Sequence, residues 1–349
     1  MSTERGRIQI EGFEASRVEQ RDPISGWVED EGKETISRFE RAFARFRRNR
    51  VALLGVCIVA IMALLAFFSR PVEFLGTTIQ PFQLAPWEPD ASMWLPPPHG
   101  PGTGGRYEPI SLAHPMGTDG DARDIFSRWL IGGRFSVSIG FIVVGLTSVV
   151  GIIYGSISGY YGGWIDELMM RILDVIFAFP GLVLALVIVA MLGGGYWQLV
   201  VAFSLFGWAG YARLIRGEIL SVKENEYVLA AKALGARDRS VIFRHIVPNA
   251  ITPVVVQASL AVGSVVIGVA ALGFLGIGFD PGTPEWGTML DDTLDTVIRG
   301  PGQEIPWRAT VFPGMGIFMF VMAMNLIGDG LNDSLDAQED VSVTPGGGG

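Results

Sequence analysis

Glu226-Tyr-Val-Leu-Ala-Ala-Lys-Ala-Leu-Gly235, running on to His245-Ile-Val-Pro248, is the stretch that decides how the chain is read. It predicts a small-residue helix, a glycine turn and a second short helix, lying between two long uncharged runs, Val175 to Ala212 and Asn249 to Phe279. Alanines at 230 and 231 leave a face with almost no side chain, which another backbone can approach closely. Gly235 permits the positive φ that ends a helix and turns the chain. Asp238 suits an N-cap for a second helix through Arg239, Val241 and Phe243, and Pro248 is expected to close it ahead of the next apolar run. A polar helical hairpin held between apolar segments is suited to docking on something soluble.

Working outward, the apolar residues are grouped. The chain has 349 residues, 49% hydrophobic and 17% charged, rich in apolar and poor in charged residues for a soluble protein. Further uncharged runs cover Val51 to Phe68, Phe135 to Gly159 and Thr310 to Gly328. A spanning helix needs about 20 apolar residues to cross roughly 30 Å of hydrocarbon. As one helix, the run from Val175 to Ala212 would be roughly 60 Å long, and Gly193-Gly194-Gly195 splits it. Six spans result, expected at 51–69, 135–159, 173–192, 196–213, 250–275 and 310–328, with the hairpin loop at 214–248 and a permeation core at 134–330. The expected fold class is an all-α integral membrane protein with six transmembrane helices.

Residues 1–50 are polar and charged and read as a cytoplasmic tail, not a secretory signal. Residues 1–35 lack periodicity and are expected to be disordered. Ile36, Phe39, Phe43 and Phe46 recur at helical spacing, which predicts an amphipathic basic helix before the first span. Arg38, Arg41, Arg45, Arg47, Arg48 and Arg50 hold that end in the cytoplasm by the positive-inside rule, and six crossings return the acidic tail 331–349 to the same side. The basic loop from Arg213 to Arg244 falls there too. Residues 70–133 form an external segment whose middle is rich in Pro and Gly. Cys57, the only cysteine, lies in the first span, so disulfides and cysteine metal sites are excluded. Net charge is −9 and only Lys33, Lys223 and Lys232 are lysines. A surface of that kind is one way to stay soluble in high salt, and GC-rich codon bias produces the same composition.

Ala230, Ala231, Gly235 and Pro248 stand at the spacing of the pattern Glu-Ala-Ala, three residues, Gly, nine residues, Ile-x-Leu-Pro, with Leu229, His245 and Val247 in place of its Glu, Ile and Leu. This stretch resembles the cytoplasmic EAA loop of binding-protein-dependent ABC importer permeases, in the version of the dipeptide, oligopeptide and nickel subfamily. Four other blocks resemble the C-type permease subunit of that subfamily. They are His114-Pro-Met-Gly-Thr-Asp119 with Arg123-Asp124, Ser127-Arg128 and Gly133-Arg134; Gly162-Gly-Trp-Ile-Asp166 through Ala178-Phe-Pro180; Leu272 to Gly278 with Trp286-Gly287 and Met289-Leu290; and Gly328-Asp-Gly-Leu331 with Leu335-Asp336.

The resemblance covers about residues 35 to 337. It implies the type I importer fold with an EAA coupling helix, in which Glu226, Tyr227, Ala230, Ala231, Gly235, Asp238 and Pro248 form the ATPase-coupling loop. It implies as partners a homologous second permease in a heterodimer, two ABC ATPase subunits and an external substrate-binding protein, in the lipid bilayer of the cell membrane and without nucleic acid. Short peptides are the expected cargo, with nickel complexes or oligosaccharides as alternatives.

The residues exclude other classes. No Gly-x4-Gly-Lys-[Ser/Thr] phosphate loop occurs, since Gly32-Lys33 is followed by Glu34 and position 27 is not glycine. ATP is therefore expected to be hydrolysed by partner chains, and this chain is not expected to be an enzyme. His99, His114 and His245 cannot form a His-Glu-x-x-His zinc site, which argues against a membrane-embedded hydrolase. No catalytic, cofactor or metal residue is expected. An ion-coupled secondary transporter usually carries charged groups at membrane depth, and the uncharged runs that make up the interior of the expected spans have none. Arg171 is expected to pair with Glu167 or Asp174 at the start of the third span. Gly140, Gly145, Gly151, Gly155, Gly263 and Gly268 are expected at helix contacts.

Overall fold

The structure, a computed structural model, describes residues 38–68, 72–74, 77–79, 105–111, 114–280, 282–299 and 307–336. The disorder expected over 1–35, most of the Pro/Gly-rich segment and the end of the acidic tail lie outside the described residues. Two units divide after Ala44. The first contains most of α1 (Arg38–Phe46), the short helix that the phenylalanine spacing predicts.

The second unit holds the membrane helices. Asn49 starts α2 (Arg50–Phe68), its side-chain oxygen accepting from the amides of Val51 at 3.0 Å and Ala52 at 3.1 Å. A small antiparallel ladder follows, β1 (Val72–Phe74) on β2 (Thr77–Ile79), in the part of the expected external segment that precedes its Pro/Gly-rich middle. Then come α3 (Ile125–Tyr161), α4 (Gly163–Phe177), α5 (Gly181–Leu192) and α6 (Tyr196–Val222). After the hairpin, α10 (Thr252–Phe274), α11 (Trp286–Arg299) and α12 (Trp307–Asp336) complete the chain. Among the described residues α3, α6, α10 and α12 are each long and apolar enough to cross a membrane. The pairs α1 with α2 and α4 with α5 meet the same requirement together, which gives up to six spans.

Several boundaries differ from the hydropathy reading. Where one span over 173–192 is expected, α4 and α5 meet at a bend of 77°. Pro180 sits at the break, because it lacks an N–H and disfavours helical geometry at Phe179. Twelve residues in α5 extend only about 18 Å, too short to cross alone. The second span begins ten residues earlier than expected, at Ile125, and the fourth runs on to Val222. Helix α11 has no counterpart in the apolar runs, since it carries Asp291, Asp292, Asp295 and Arg299.

Close helix contact follows the glycines. A Cβ at Gly151 would lie 2.7 Å from the Trp208 carbonyl oxygen of α6, one at Gly159 would lie 3.0 Å from that of Arg216, and one at Gly155 would overlap the Ala212 carbonyl. Every fourth residue of α3 is thus small where α6 lies against it. Gly140 meets Val262 and Val266 of α10, Gly263 meets Val321 of α12, and Gly268 meets Phe203 of α6. Gly145 faces open space and makes no such contact.

At the start of α3 the block His114 to Arg128 folds around buried charges. Asp124 caps the helix, accepting from the Ser127 amide at 2.8 Å and its hydroxyl at 2.6 Å. Asp119 pairs with Arg123 at 2.8 Å and with Arg128, and Asp292 of α11 takes both guanidinium groups at 2.9 and 2.7 Å. Burial opposes the Arg123 charge, but Asp119, Asp292 and Asp121 outweigh it and raise its pKa. Beside this network Glu285 is fully buried. Its carboxylate accepts from Ser136 of α3 and from the amides of Gly287 and Thr288 that open α11. Burial drives its pKa up while these donors pull it down, and burial prevails.

Candidate functional site

The hairpin begins where α6 ends. Asn225 precedes α7 (Glu226–Ala233), and its backbone carbonyl accepts from the amides of Val228 and Leu229. Val228 is fully buried, in one cluster with Ile215 and Ile219 of α6 and with Val241, Ile242 and Ile246. That anchor sets which way the rest of α7 faces. Tyr227, Ala230 and Leu234 fall three and four residues apart on the outward face, all exposed, with Leu234 at 89%. Ala231 is half-buried and Ala230 exposed, so of the two alanines Ala230 presents the methyl-sized outer surface.

Gly235 ends α7 with φ at +81°. Its amide donates to the Lys232 carbonyl at 2.9 Å, and that of Ala236 to the Ala231 carbonyl at 3.1 Å. This is the glycine-closed helix end that satisfies carbonyls left over at a C-terminus.

The second arm starts with α8 (Asp238–Ser240), and here Arg237 holds the cap position. Asp238 is therefore not the cap: it is the first helical residue, and its carboxylate accepts from the Tyr160 hydroxyl at 2.7 Å. A π-helical turn follows, Val241–Ile246, and then α9 (Val247–Ala250). Pro248 lies in the first turn of α9 and does not close the arm, which leads on through Ile251 to α10. A proline cannot donate to the carbonyl four residues back, and its ring crowds that carbonyl. The wider π turn just before Pro248 gives this crowding room, with the Val247 amide reaching back to Ile242. Arg237, Arg239, Ser240, Phe243 and Arg244 line a shallow cleft on the outside of this arm.

Two features were not visible in the motif. The C-terminal end of α3 is held by the hairpin: the Lys223 ammonium donates to the Gly159 carbonyl at 3.0 Å, and that of Lys232 lies 4.6 Å over the Tyr160 ring. Helix α4 is tied to α6 at both ends, with Asp166 taking two 2.5 Å bonds from Arg216 and Asp174 accepting from Arg213 at 2.9 Å. Arg171 lies 3.6 Å from Glu167 on the exposed face, while Asp174 turns to α6 instead. Glu226 is exposed in the first turn of α7, where a negative charge suits the helix dipole. Among the described residues no group of His, Cys, Asp and Glu side chains is arranged to hold a metal ion. The site has the form of a docking surface: an apolar outer stripe on one arm and a basic cleft on the other, on a short hairpin anchored by the buried Val228, Val241, Ile242 and Ile246.

Comparison with known proteins bears on that surface. Residues 151–339 match the family described as binding-protein-dependent transport system inner membrane component. Residues 37–98 match the N-terminal TM domain of oligopeptide transport permease C. The dipeptide transport system permease protein DppC of Alkalihalophilus pseudofirmus is 37% identical over 301 residues, 86% of this chain and 90% of the relative. The glutathione transport system permease protein GsiD of Pectobacterium atrosepticum is 42% identical over 226 residues, 65% of this chain and 73% of the relative. That of Shigella dysenteriae is 38% identical over 296 residues, 84% and 88% of the two chains.

Proposed function

Because the chain belongs to the binding-protein-dependent transport system inner membrane component family, we propose that it forms half of a translocation path for short peptides and receives its drive through the 226–248 hairpin. The single observation that carries this reading is the outward stripe of Tyr227, Ala230 and Leu234 on a helix anchored by the buried Val228. An apolar stripe of this kind in contact with water calls for a partner. The relatives named for dipeptide and glutathione transport support a peptide cargo.

In this reading the second half of the path is a homologous permease, two ATPase subunits dock on the hairpins, and a binding protein delivers the peptide. The hairpin and both termini are cytoplasmic, and the segment before α3 is external. Glu226, Tyr227, Ala230 and Leu234 meet the ATPase, Gly235 sets the angle between the two arms, Pro248 lies where the second arm passes into α10, and Asp238 fastens the hairpin to α3. The test is a pull-down from detergent-solubilised membranes of cells expressing the whole transport system, followed by turnover and uptake assays. The tagged chain should bring ATPase chains with it, the complex should hydrolyse ATP faster with binding protein and peptide, and the chain stripped of partners should show no turnover. Robust hydrolysis by the purified chain alone, or peptide uptake without any ATPase chain, would refute this reading.

A further inference from the structure

We propose that Tyr160 is a positioning residue that fastens the last turn of α3 to the hairpin, so that a displacement of the hairpin moves α3 as well. The proposal rests on the hairpin being the ATPase contact. The hairpin is joined covalently to α6 and, through α9, to α10. Helix α3 belongs to another part of the chain, so only non-covalent contacts can pull it along.

Those contacts converge on two residues. Lys223 precedes α7, Lys232 lies within it and Asp238 opens the second arm, and all three reach Gly159 or Tyr160. The Tyr160 hydroxyl donates to Asp238 while its ring takes the Lys232 ammonium, so one side chain grips both arms. Both lysines among the described residues thus sit at the C-terminal end of α3, where cations offset the helix dipole. Removing either arm's contact leaves the other, but removing the tyrosine removes both.

From there the load has a stiff path. Gly151, Gly155 and Gly159 let α3 lie backbone to backbone on α6. The 37 residues of α3 extend about 55 Å. At the far end Arg128 of α3 bonds Asp292 of α11. One helix therefore connects the hairpin with the charge network at the other end.

The experiment uses the complete importer in proteoliposomes, with the chain as wild type, Tyr160→Phe, Tyr160→Ala, Asp238→Ala and the Tyr160→Phe/Asp238→Ala double variant. Tyr160→Phe should keep the ATPase chains and basal hydrolysis while peptide imported per ATP falls about three- to tenfold, the scale of one solvent-exposed hydrogen bond. Tyr160→Ala should fall further, since it also loses the Lys232 contact. The double variant should be no worse than Asp238→Ala, because the two changes remove one shared bond. A merely structural tyrosine would lower protein yield, hydrolysis and import together and leave the import-to-hydrolysis ratio unchanged. That outcome overturns the joint, as does a double variant whose losses multiply. Loss of ATPase chains from the wild type would instead overturn the functional reading, and the joint with it.

Discussion

Gly235 holds φ at +81°, and a Cβ built there would meet no atom within 4 Å. A substitution is therefore opposed by backbone torsion alone, which separates geometry from bulk at the turn of the hairpin. A left-handed residue with a Cβ costs about 1–2 kcal/mol, and asparagine much less because it visits that region readily. Valine, branched at Cβ, should cost about 2–3 kcal/mol. With 1.4 kcal/mol equal to tenfold, Gly235→Ala should weaken ATPase association about tenfold, Gly235→Val about thirtyfold or more, and Gly235→Asn by no more than about threefold. The assay is retention of ATPase chains on the tagged protein over a range of ATPase concentration, with peptide uptake measured on the same membranes and insertion checked by immunoblot. The reasoning fails if asparagine is as damaging as valine, since side-chain volume would then matter more than φ. It fails too if valine behaves as wild type.

Other expectations follow from the same geometry. Ala230→Phe should displace the ATPase without changing the stability of the chain. Ala231→Phe should do both, because that side chain is half-buried; overpacking there costs about 1–3 kcal/mol, read as a lower melting temperature in detergent. In a Cys57→Ser background, an impermeant thiol reagent on intact cells should label Gly100→Cys and leave Tyr227→Cys untouched, and the opposite pattern would reverse the topology. Gly155→Leu should destabilise the α3–α6 contact by about 3 kcal/mol or more, since the new side chain meets backbone. Gly145→Leu, which faces open space, should leave the melting temperature within a degree or two of wild type.

The parts of this architecture that depend on local chemistry could be read from the chain. The apolar runs mark the membrane helices, and Gly235 marks the turn because only its φ allows that helix end. What could not be read depends on contacts between distant segments or on direction. Hydropathy reports how apolar residues 173–192 are and says nothing of the 77° bend, although Pro180 was there to suggest one. An eight-residue helix with alanines at both 230 and 231 does not reveal which faces inward; burial of Val228 against α6 decides it. The Tyr227 to Leu234 spacing of two helical turns was the available sign of an outward apolar stripe. Asp238 looks like a cap in isolation, yet its partner is Tyr160, 78 positions away. Helix α11 is held by Glu285 and Asp292 reaching α3 and the segment before it, pairings more than 140 residues apart.

The most direct measurement is a site-specific cross-link. Leu234→Cys in the Cys57→Ser background, treated with a short thiol-to-amine cross-linker in membranes carrying the whole transport system, places the probe at the most exposed large apolar side chain of the hairpin. Ile110→Cys, also exposed but in the segment before α3, serves as the control. A product joining this chain to an ATPase chain is expected from position 234, with a yield that changes when ATP is added, and none from position 110. Intact peptide uptake with no ATPase cross-link at 234, or a cross-link at 110 in its place, would contradict the coupling role of the hairpin.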